Sequence, residues 1–380
     1  MENRMLMGLS STVPSVETGQ DYYLQLEKLN EYSEKMKEEP FSQFDDKDMI
    51  LYFIHRRKNI DSSKDLSKRT RIEYQRELLQ MIQNMFTYPN EIGLDIDNVK
   101  EGSFFKSLSS RHIKRYIEWV QTKSPRVKER GPYSPATLAR KTAVIKNFFS
   151  FLYKSQYIKE PIYQNMLSAT VLKQERPNRD LSPNEVLQLL DFFKKENHPI
   201  LFGIIHILVT TGLRNEEFCN LKISDLRYDR TVGMYYLNVI GKGNKERKIP
   251  VRNKTFESIN NFRAARLLPP LQLSLNDHSV LLPNSRGNAY TPSHLSRYLS
   301  DAIERTGLEF TKERTCRISP HTLRHCFVII SHKAGADIYT IMRSLGHSKI
   351  ETTQIYMSHI FELEEHAVNK WDEKVLRDYI

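Results

Sequence analysis

The chain is poor in the residues that pin a fold covalently or through metal. Of 380 residues only three are cysteine, Cys219, Cys316 and Cys326, and no two of them form a CxxC pair. That argues against a disulfide framework and a cysteine zinc site, and it suits thiols kept in a reducing compartment. No apolar run approaches the ~20 residues a membrane helix needs, so no membrane partner is expected. The opening MENRMLMGLSSTV has no basic patch followed by an apolar core, which argues against a secretory signal. Internal repeats and low-complexity tracts are missing too. So is any carboxylate cluster able to hold paired catalytic cations. His321 and His325 stand at i, i+4, but HTLRH lacks the glutamate of a zinc-protease helix. No metal and no cofactor are expected.

What the chain does have is length, an ordinary globular composition and positive charge. Hydrophobic residues make up 39% and charged residues 27%, enough for two domains with a core each. The formal net charge of +11 points to an anionic partner. Residues 103–156 hold seven lysines and five arginines against Glu118 and Glu129, a net of +10. A basic stretch of this kind is commonly a solvated face. Here it is interleaved with Phe104, Phe105, Tyr116, Trp119, Phe148, Phe149 and Phe151, which would form the apolar side of the same helices. The pattern predicts a helical domain with one basic face on DNA phosphates, with Lys106, Arg111, Lys114, Arg115, Arg140, Lys141 and Lys146 as candidate contacts.

The first half reads as all-helical. Residues 1–40 are a polar extension of unassigned role, with a thin stripe of Tyr23, Leu26, Leu29 and Tyr32. Helical spacing recurs over 43–60 and 65–86, and again over 109–122. Residues 87–102 read as a loop. Ser134-Pro135 supplies a cap and a first-turn proline for a helix to about 153. These elements form a helical domain over 41–167. A patternless stretch, 168–181, reads as a linker. Ser182 with Glu185 three residues on has capping-box chemistry and opens a second domain over 182–360. Helices are expected there near 184–195, 199–210, 253–267 and 291–305, and again after 319. MYYLNVI (234–240) and ERKIPV (246–251) read as strands joined by a glycine-rich turn at 241–245. The fold class is therefore mainly α with a small antiparallel β-sheet in the second domain (α+β), behind an all-α first domain. A helical tail, 361–380, either packs within its own chain or docks on a neighbouring protomer.

Four short runs carry the chemistry: TGLRNEEF (211–218), GKGNKERKIP (241–250), HTLRH (321–325) and LGHSKIETTQIY (345–356). Displacement at a phosphodiester builds charge on the non-bridging oxygens. Without metal, guanidinium and imidazole donors must meet it, and arginine donates twice to phosphate without losing its proton. Each run alone has an ordinary reading: Arg214 as a surface residue at a turn, His321 as a structural histidine, Tyr356 as one tyrosine among 19. Glu217, three residues after Arg214, either orients it or caps the next helix.

The order of the set, arginine, lysine, His-x-x-Arg, histidine and a late tyrosine, resembles the tyrosine recombinase (phage integrase) family, in particular the Xer-type recombinases of bacteria and mobile elements. The likeness is strong over 182–360 and weaker over 43–165, notably in YSPATLARKTAVIKNFFSFL. It implies a two-domain DNA clamp whose helical domain binds the core site. Arg214 and Arg324 would clamp the scissile phosphate. Lys242 would protonate the leaving 5′ oxygen, with Lys245 as local competitor or phosphate contact. His321 would assist proton removal, His347 would bond the phosphate, and Tyr356 would attack to give a 3′-phosphotyrosyl link. Double-stranded DNA, a homotetramer on paired sites, a Holliday junction and accessory proteins follow from the same likeness, as does a bacterial cytoplasmic setting at nucleoid or plasmid. The extra N-terminal segment favours integration, excision or resolution of a mobile element or plasmid over chromosome housekeeping. A type IB topoisomerase, a telomere resolvase and a non-catalytic DNA-binding relative are the rival readings.

Overall fold

The computed structural model describes residues 16, 19–57, 59–61, 65–96, 99–167, 169, 179–241, 245–347, 349–351 and 353–354, with the side chain of residue 245 excluded. The chain divides into two compact units, Met1–Arg176 and Pro177–Ile380.

Among its described residues the first unit has helices and no strand: α1 Gly19–Lys35, α2 Asp46–His55, α3 Lys68–Thr87, α4 Pro89–Ile92, α5 Phe104–Ser107, α6 Ser110–Thr122, α7 Pro125–Arg130 and α8 Pro135–Lys154. The caps sit where local chemistry puts them. The Ser134 hydroxyl accepts from the backbone N–H of Thr137, and Pro135 fills the first turn, where a missing N–H costs nothing. α1 lies in the stretch read as an extension. Its Tyr23 and Leu26 are buried, whereas Tyr32 stays half-exposed. Leu26 joins the same core as α2, so no structural break falls at residue 40. Residues 87–102 are not wholly loop either, because Pro89 can start a helix and Gly93, in the left-handed conformation, stops it after one turn.

Two buried carboxylates hold this unit together. Asp46 accepts from the Ser103 hydroxyl, the backbone N–H of Phe104 at 2.7 Å and the Tyr157 hydroxyl at 2.9 Å, tying α2 to the start of α5. Glu77 on α3 takes Arg140 at 3.2 Å and Lys141 at 2.6 Å from α8.

The second unit mixes helix and sheet: α9 Pro183–Lys195, α10 Pro199–Thr211, α11 Asn215–Cys219, strands β1 Leu226–Asp229, β2 Met234–Gly241 and β3 Lys245–Val251, then α12 Asn253–Ala265, α13 Pro292–Glu304, α14 Glu309–Lys312, α15 Pro320–Lys333 and α16 Ile338–Leu345. The capping box at α9 forms as the sequence indicated: the Glu185 backbone N–H donates to Ser182 Oγ, and the Ser182 N–H donates to Glu185. α10 (PILFGIIHILVTT) is apolar on every side because it runs through the core. The sheet is antiparallel in the order β1-β2-β3. β2 pairs with β3 from Tyr235↔Val251 to Gly241↔Lys245. β1 is a strand the sequence did not reveal. Its four residues, LRYD, are too few to show a period of two.

Candidate active site

Two helices of the second unit end in left-handed glycines, and both turns bring backbone carbonyls to the same place. α10 ends at Gly212, with φ of 61°, and α16 ends at Gly346, with φ of 64°. Glycine adopts this conformation without steric penalty. At Gly212 a side chain would also collide, since a Cβ would lie 2.9 Å from both Leu345 Cδ2 and Phe327 Cδ1. α11 begins directly after the first turn, and His347 follows the second.

Arg214 stands at the N-cap of α11. Its backbone N–H donates to Glu217 at 2.8 Å, its Nη1 donates to Glu217 Oε1 at 2.8 Å, and its Nη2 donates to the Gly346 carbonyl at 3.1 Å. Glu217 therefore does both things the sequence left open: it caps the helix and orients the arginine. Arg324 comes from the second turn of α15. It donates to the Gly212 carbonyl, to the Leu345 carbonyl at 2.8 Å and to His347 Nε2 at 3.0 Å. Its Nη1 also lies 4.0 Å from Glu217 Oε2. Only 2% of the Arg324 side chain is exposed, against 32% of Arg214, so Arg214 is the accessible partner of the pair.

A third arginine completes the group, one that the sequence reading did not single out. Arg247 on β3 donates to Glu217 twice, from Nη1 at 2.9 Å and from Nη2 at 2.7 Å. The signal was in the strand period. Residues 247, 249 and 251 alternate inward while 246, 248 and 250 are exposed, so an arginine shares the inward row with Ile249 and Val251. Burial alone would push the Glu217 carboxyl up. The hydrogen bonds from Arg247 and Arg214, with the charge of Arg247, overcome this and hold it at about 2.

Both histidines of the set are neutral near pH 7. Burial, then the guanidiniums of Arg324, Arg214 and Arg247 and the neighbouring His321, push His347 down to about 4. Arginine can only donate, so His347 Nε2 accepts from Arg324 and the ring proton sits on Nδ1. That Nδ1–H faces Thr353 Oγ1 at 2.9 Å, and Thr353 is fully buried. His321 is also pushed to about 4, by crowding that strips water from the ring and by Arg179 and Arg324. The residue as a whole is nevertheless exposed to solvent. His325, one turn on, points elsewhere and lies 3.2 Å from Asp180. Among the described residues no group of three or more His, Cys, Asp or Glu side chains is placed to hold a metal ion.

Of the six residues expected to carry the chemistry, the structure thus brings Arg214, Arg324 and His347 together, with His321 beside Arg324. Lys242 and Tyr356 lie outside the described residues, as do the Lys245 side chain and the tail 361–380. The basic candidates of the first unit are scattered over its helices, and acids from outside the 103–156 window meet most of them. Lys106 pairs with Glu101 at 2.6 Å, and Arg111 with Asp95 at 2.9 Å. Arg115 donates to the Gly93 carbonyl at 2.6 Å. Arg140 and Lys141 hold Glu77, as above, and Lys114 faces Glu118 at 4.0 Å. Lys146 has no ion pair among the described residues. A net charge counted along one window overstates the bare charge when the acids arrive from elsewhere in the fold.

Comparison with known proteins supplies the context for this geometry. The Phage integrase family profile matches residues 179–362. The tyrosine recombinase XerC of Thermodesulfovibrio yellowstonii is 31% identical over 251 residues, covering 63% of this chain and 79% of that protein. The chain belongs to the tyrosine recombinase family. A more extended match is the tyrosine recombinase XerD of Rickettsia bellii, 28% identical over 307 residues, 77% of this chain and 88% of its own. Among solved structures, the XerH site-specific recombinase bound to a palindromic difH substrate is 20% identical with a TM-score of 0.58, covering 92% of this chain and 96% of that one. The Tn1549 transposon integrase in complex with transposon right end DNA is 20% identical, with a TM-score of 0.52 over 84% of this chain and 98% of its own. These structural likenesses show a shared tyrosine recombinase fold, mostly helical with one small sheet. The activity that goes with membership is site-specific DNA recombination, and it ranks this chain among the tyrosine recombinase enzymes.

Proposed function

We propose that this recombinase cuts and rejoins double-stranded DNA with the second unit as its catalytic domain (182–360) and the helical unit (41–167) on the core site. The observation that carries this reading is the convergence of Arg214 and Arg324 on the Glu217 carboxylate, with His347 bonded to Arg324. Two guanidiniums thus share one carboxylate, which leaves a surplus of positive charge at the site. Arg214, partly exposed and fixed by Glu217, takes the scissile phosphate first. Arg324 reinforces it from below as charge develops on the non-bridging oxygens. Neutral His321 can accept the phenolic proton, the state a base must be in at the working pH. His347 is neutral in the free protein, and a bound phosphate would favour its charged form, which donates from Nε2. Tyr356 attacks the phosphorus and displaces the 5′ oxygen, which Lys242 protonates, leaving a 3′-phosphotyrosyl bond. The 5′ hydroxyl of a partner strand reverses the step, so the bond energy is kept without ATP. Lys245 and the basic residues of the first unit contact flanking phosphates. A homotetramer on two sites, accessory proteins, the C-terminal helix 361–380 between protomers and a mobile-element setting in the bacterial cytoplasm complete the proposal.

The test begins with DNA recovered by crosslinking to the full-length protein and sequenced. A nicked suicide duplex of that sequence should give a covalent protein–DNA adduct that disappears in Tyr356→Phe. An adduct persisting in that variant would overturn the assignment of the nucleophile.

A further inference from the structure

We propose that Arg247 is a positioning residue of the cleavage site, holding Glu217 in place so that Glu217 can aim Arg214. The inference rests on the proposed role of Arg214 and extends it to a residue that would not itself touch the phosphate. Three observations carry it. First, the guanidinium of Arg247 gives both its Nη groups to Glu217, at 2.9 and 2.7 Å, and only 10% of the side chain is exposed. A fork so placed fixes the plane of the carboxylate, which a lysine ammonium cannot do. Second, the face of Glu217 that meets Arg214 is set by that plane, since Arg214 Nη1 bonds the Oε1 that Arg247 Nη1 also bonds. Third, Arg247 supports the second glycine turn. A Cβ on Gly346 would lie 3.2 Å from Arg247 Cδ and 3.5 Å from its Nη1. The Gly346 carbonyl is the other acceptor of Arg214, and His347 follows it. One side chain therefore joins the α11 turn, the Gly346 turn and strand β3, which opens three residues after Lys242.

Positioning makes a different prediction from simple support of the fold. The charged and titratable groups that meet Glu217 are cationic or neutral: Arg214, Arg247, Arg324 and, one contact further, His347. Removing Arg247 leaves a buried carboxylate with fewer donors, so its protonation moves up towards the working range. Cleavage should then acquire an acid limb that the native protein lacks.

The experiment uses the full-length protein and the nicked duplex described above. It measures the single-turnover rate of adduct formation from pH 5 to 8, DNA affinity by anisotropy, and thermal unfolding. In Arg247→Met the rate at pH 7.5 should fall on the order of 100-fold, the effect of misplacing a reacting contact by about 1 Å, with affinity changed less than about threefold. Its rate should fall further below about pH 6. Adding Glu217→Gln should remove that limb without restoring the rate. Arg247→Lys, which keeps charge and folding, should lie between, with a weaker limb. The proposal is overturned by a native rate in Arg247→Met, or by a rate loss matched by equal loss of affinity with no acid limb. Should Arg247→Met fail to fold, a native rate and profile in Arg247→Lys overturns it equally. A native adduct that survives Tyr356→Phe would instead defeat the underlying reading. Loss of adduct in Tyr356→Phe beside an unaffected Arg247→Met defeats the positioning role alone.

Discussion

Each unit contains a buried glutamate gripped by two basic residues, and the two clusters behave differently because of where their charge can go. Glu77 in the helical unit is 4% exposed and its partner Lys141 12%, but its other partner Arg140 is 41% exposed and Arg76 beside it is 61% exposed. Water screens the surplus charge there, and the cluster works as a staple between α3 and α8. Glu217 in the catalytic unit is 6% exposed, and its surrounding arginines, 214, 247 and 324, are 32%, 10% and 2% exposed. One carboxylate then faces three guanidiniums in a region of low dielectric. Burying uncompensated charge is costly, and a fold tolerates it where a ligand of opposite sign will complete the balance. Surplus charge marks a site when it is enclosed, and only a solvated face when it is not.

The sharpest way to break this comparison is to delete each carboxylate. Glu217→Ala leaves three enclosed arginines with no counter-charge, so the protein should lose about 3–5 kcal/mol of stability in urea unfolding and all measurable adduct formation. Glu77→Ala should cost less, roughly 1–3 kcal/mol, and cleavage at saturating DNA should stay within about twofold of native. Equal losses in the two variants would show that enclosure does not separate them.

Acid comes next in size. His55 in the first unit and His347 in the second are both lowered to about 4, His55 by burial and then Arg71. A histidine depressed in the folded state binds its proton more readily once unfolded. Its contribution is therefore fully present above about pH 6.5 and is lost as pH falls towards about 4. Stability should drop by about 3 kcal/mol per site across that window, and His55→Gln should flatten the first unit's share. Glu217, held at about 2, is lost only below the normal carboxylate range, so it adds nothing to the slope between pH 6.5 and 4.5. A stability curve flat from pH 7 to 4.5 would contradict the assignment.

The smallest effects belong to the surface cations. Lys146→Ala should lower the slope of log affinity against log salt by about 1. Arg111→Ala should change it less, because Asp95 already engages Arg111. Identical salt slopes in both variants would remove the distinction between paired and unpaired bases.

The sequence made much of this legible where one residue type has one local use. The serine caps at 134 and 182, the glycine after α10 and the β2–β3 hairpin are such cases, since their chemistry acts within four residues. The family followed from the order of Arg214, Lys242, His321, Arg324, His347 and Tyr356. Contacts across the fold were not legible. Nothing near Glu77 in the chain names Arg140 and Lys141 as its partners, 63 and 64 residues on. Arg247 sat inside a quoted run, yet its pairing with Glu217, 30 residues away, exists only once β3 lies beside α11. The burial of Arg324 could not be read from HTLRH, because the carbonyls it meets belong to Gly212 and Leu345.

Those carbonyls have a consequence for mutational tolerance. Gly212, Leu345 and Gly346 hold the arginines through main-chain oxygen, which every amino acid possesses, so exchanging Leu345 for another apolar residue leaves its acceptor in place. The vulnerability moves to the two glycines, where any substitution would shift the peptide that carries the acceptor. A library of single replacements across 205–218 and 338–347 should therefore show its deepest intolerance outside the arginines, Glu217 and His347 at Gly212, where the missing side chain is also sterically required, and then at Gly346.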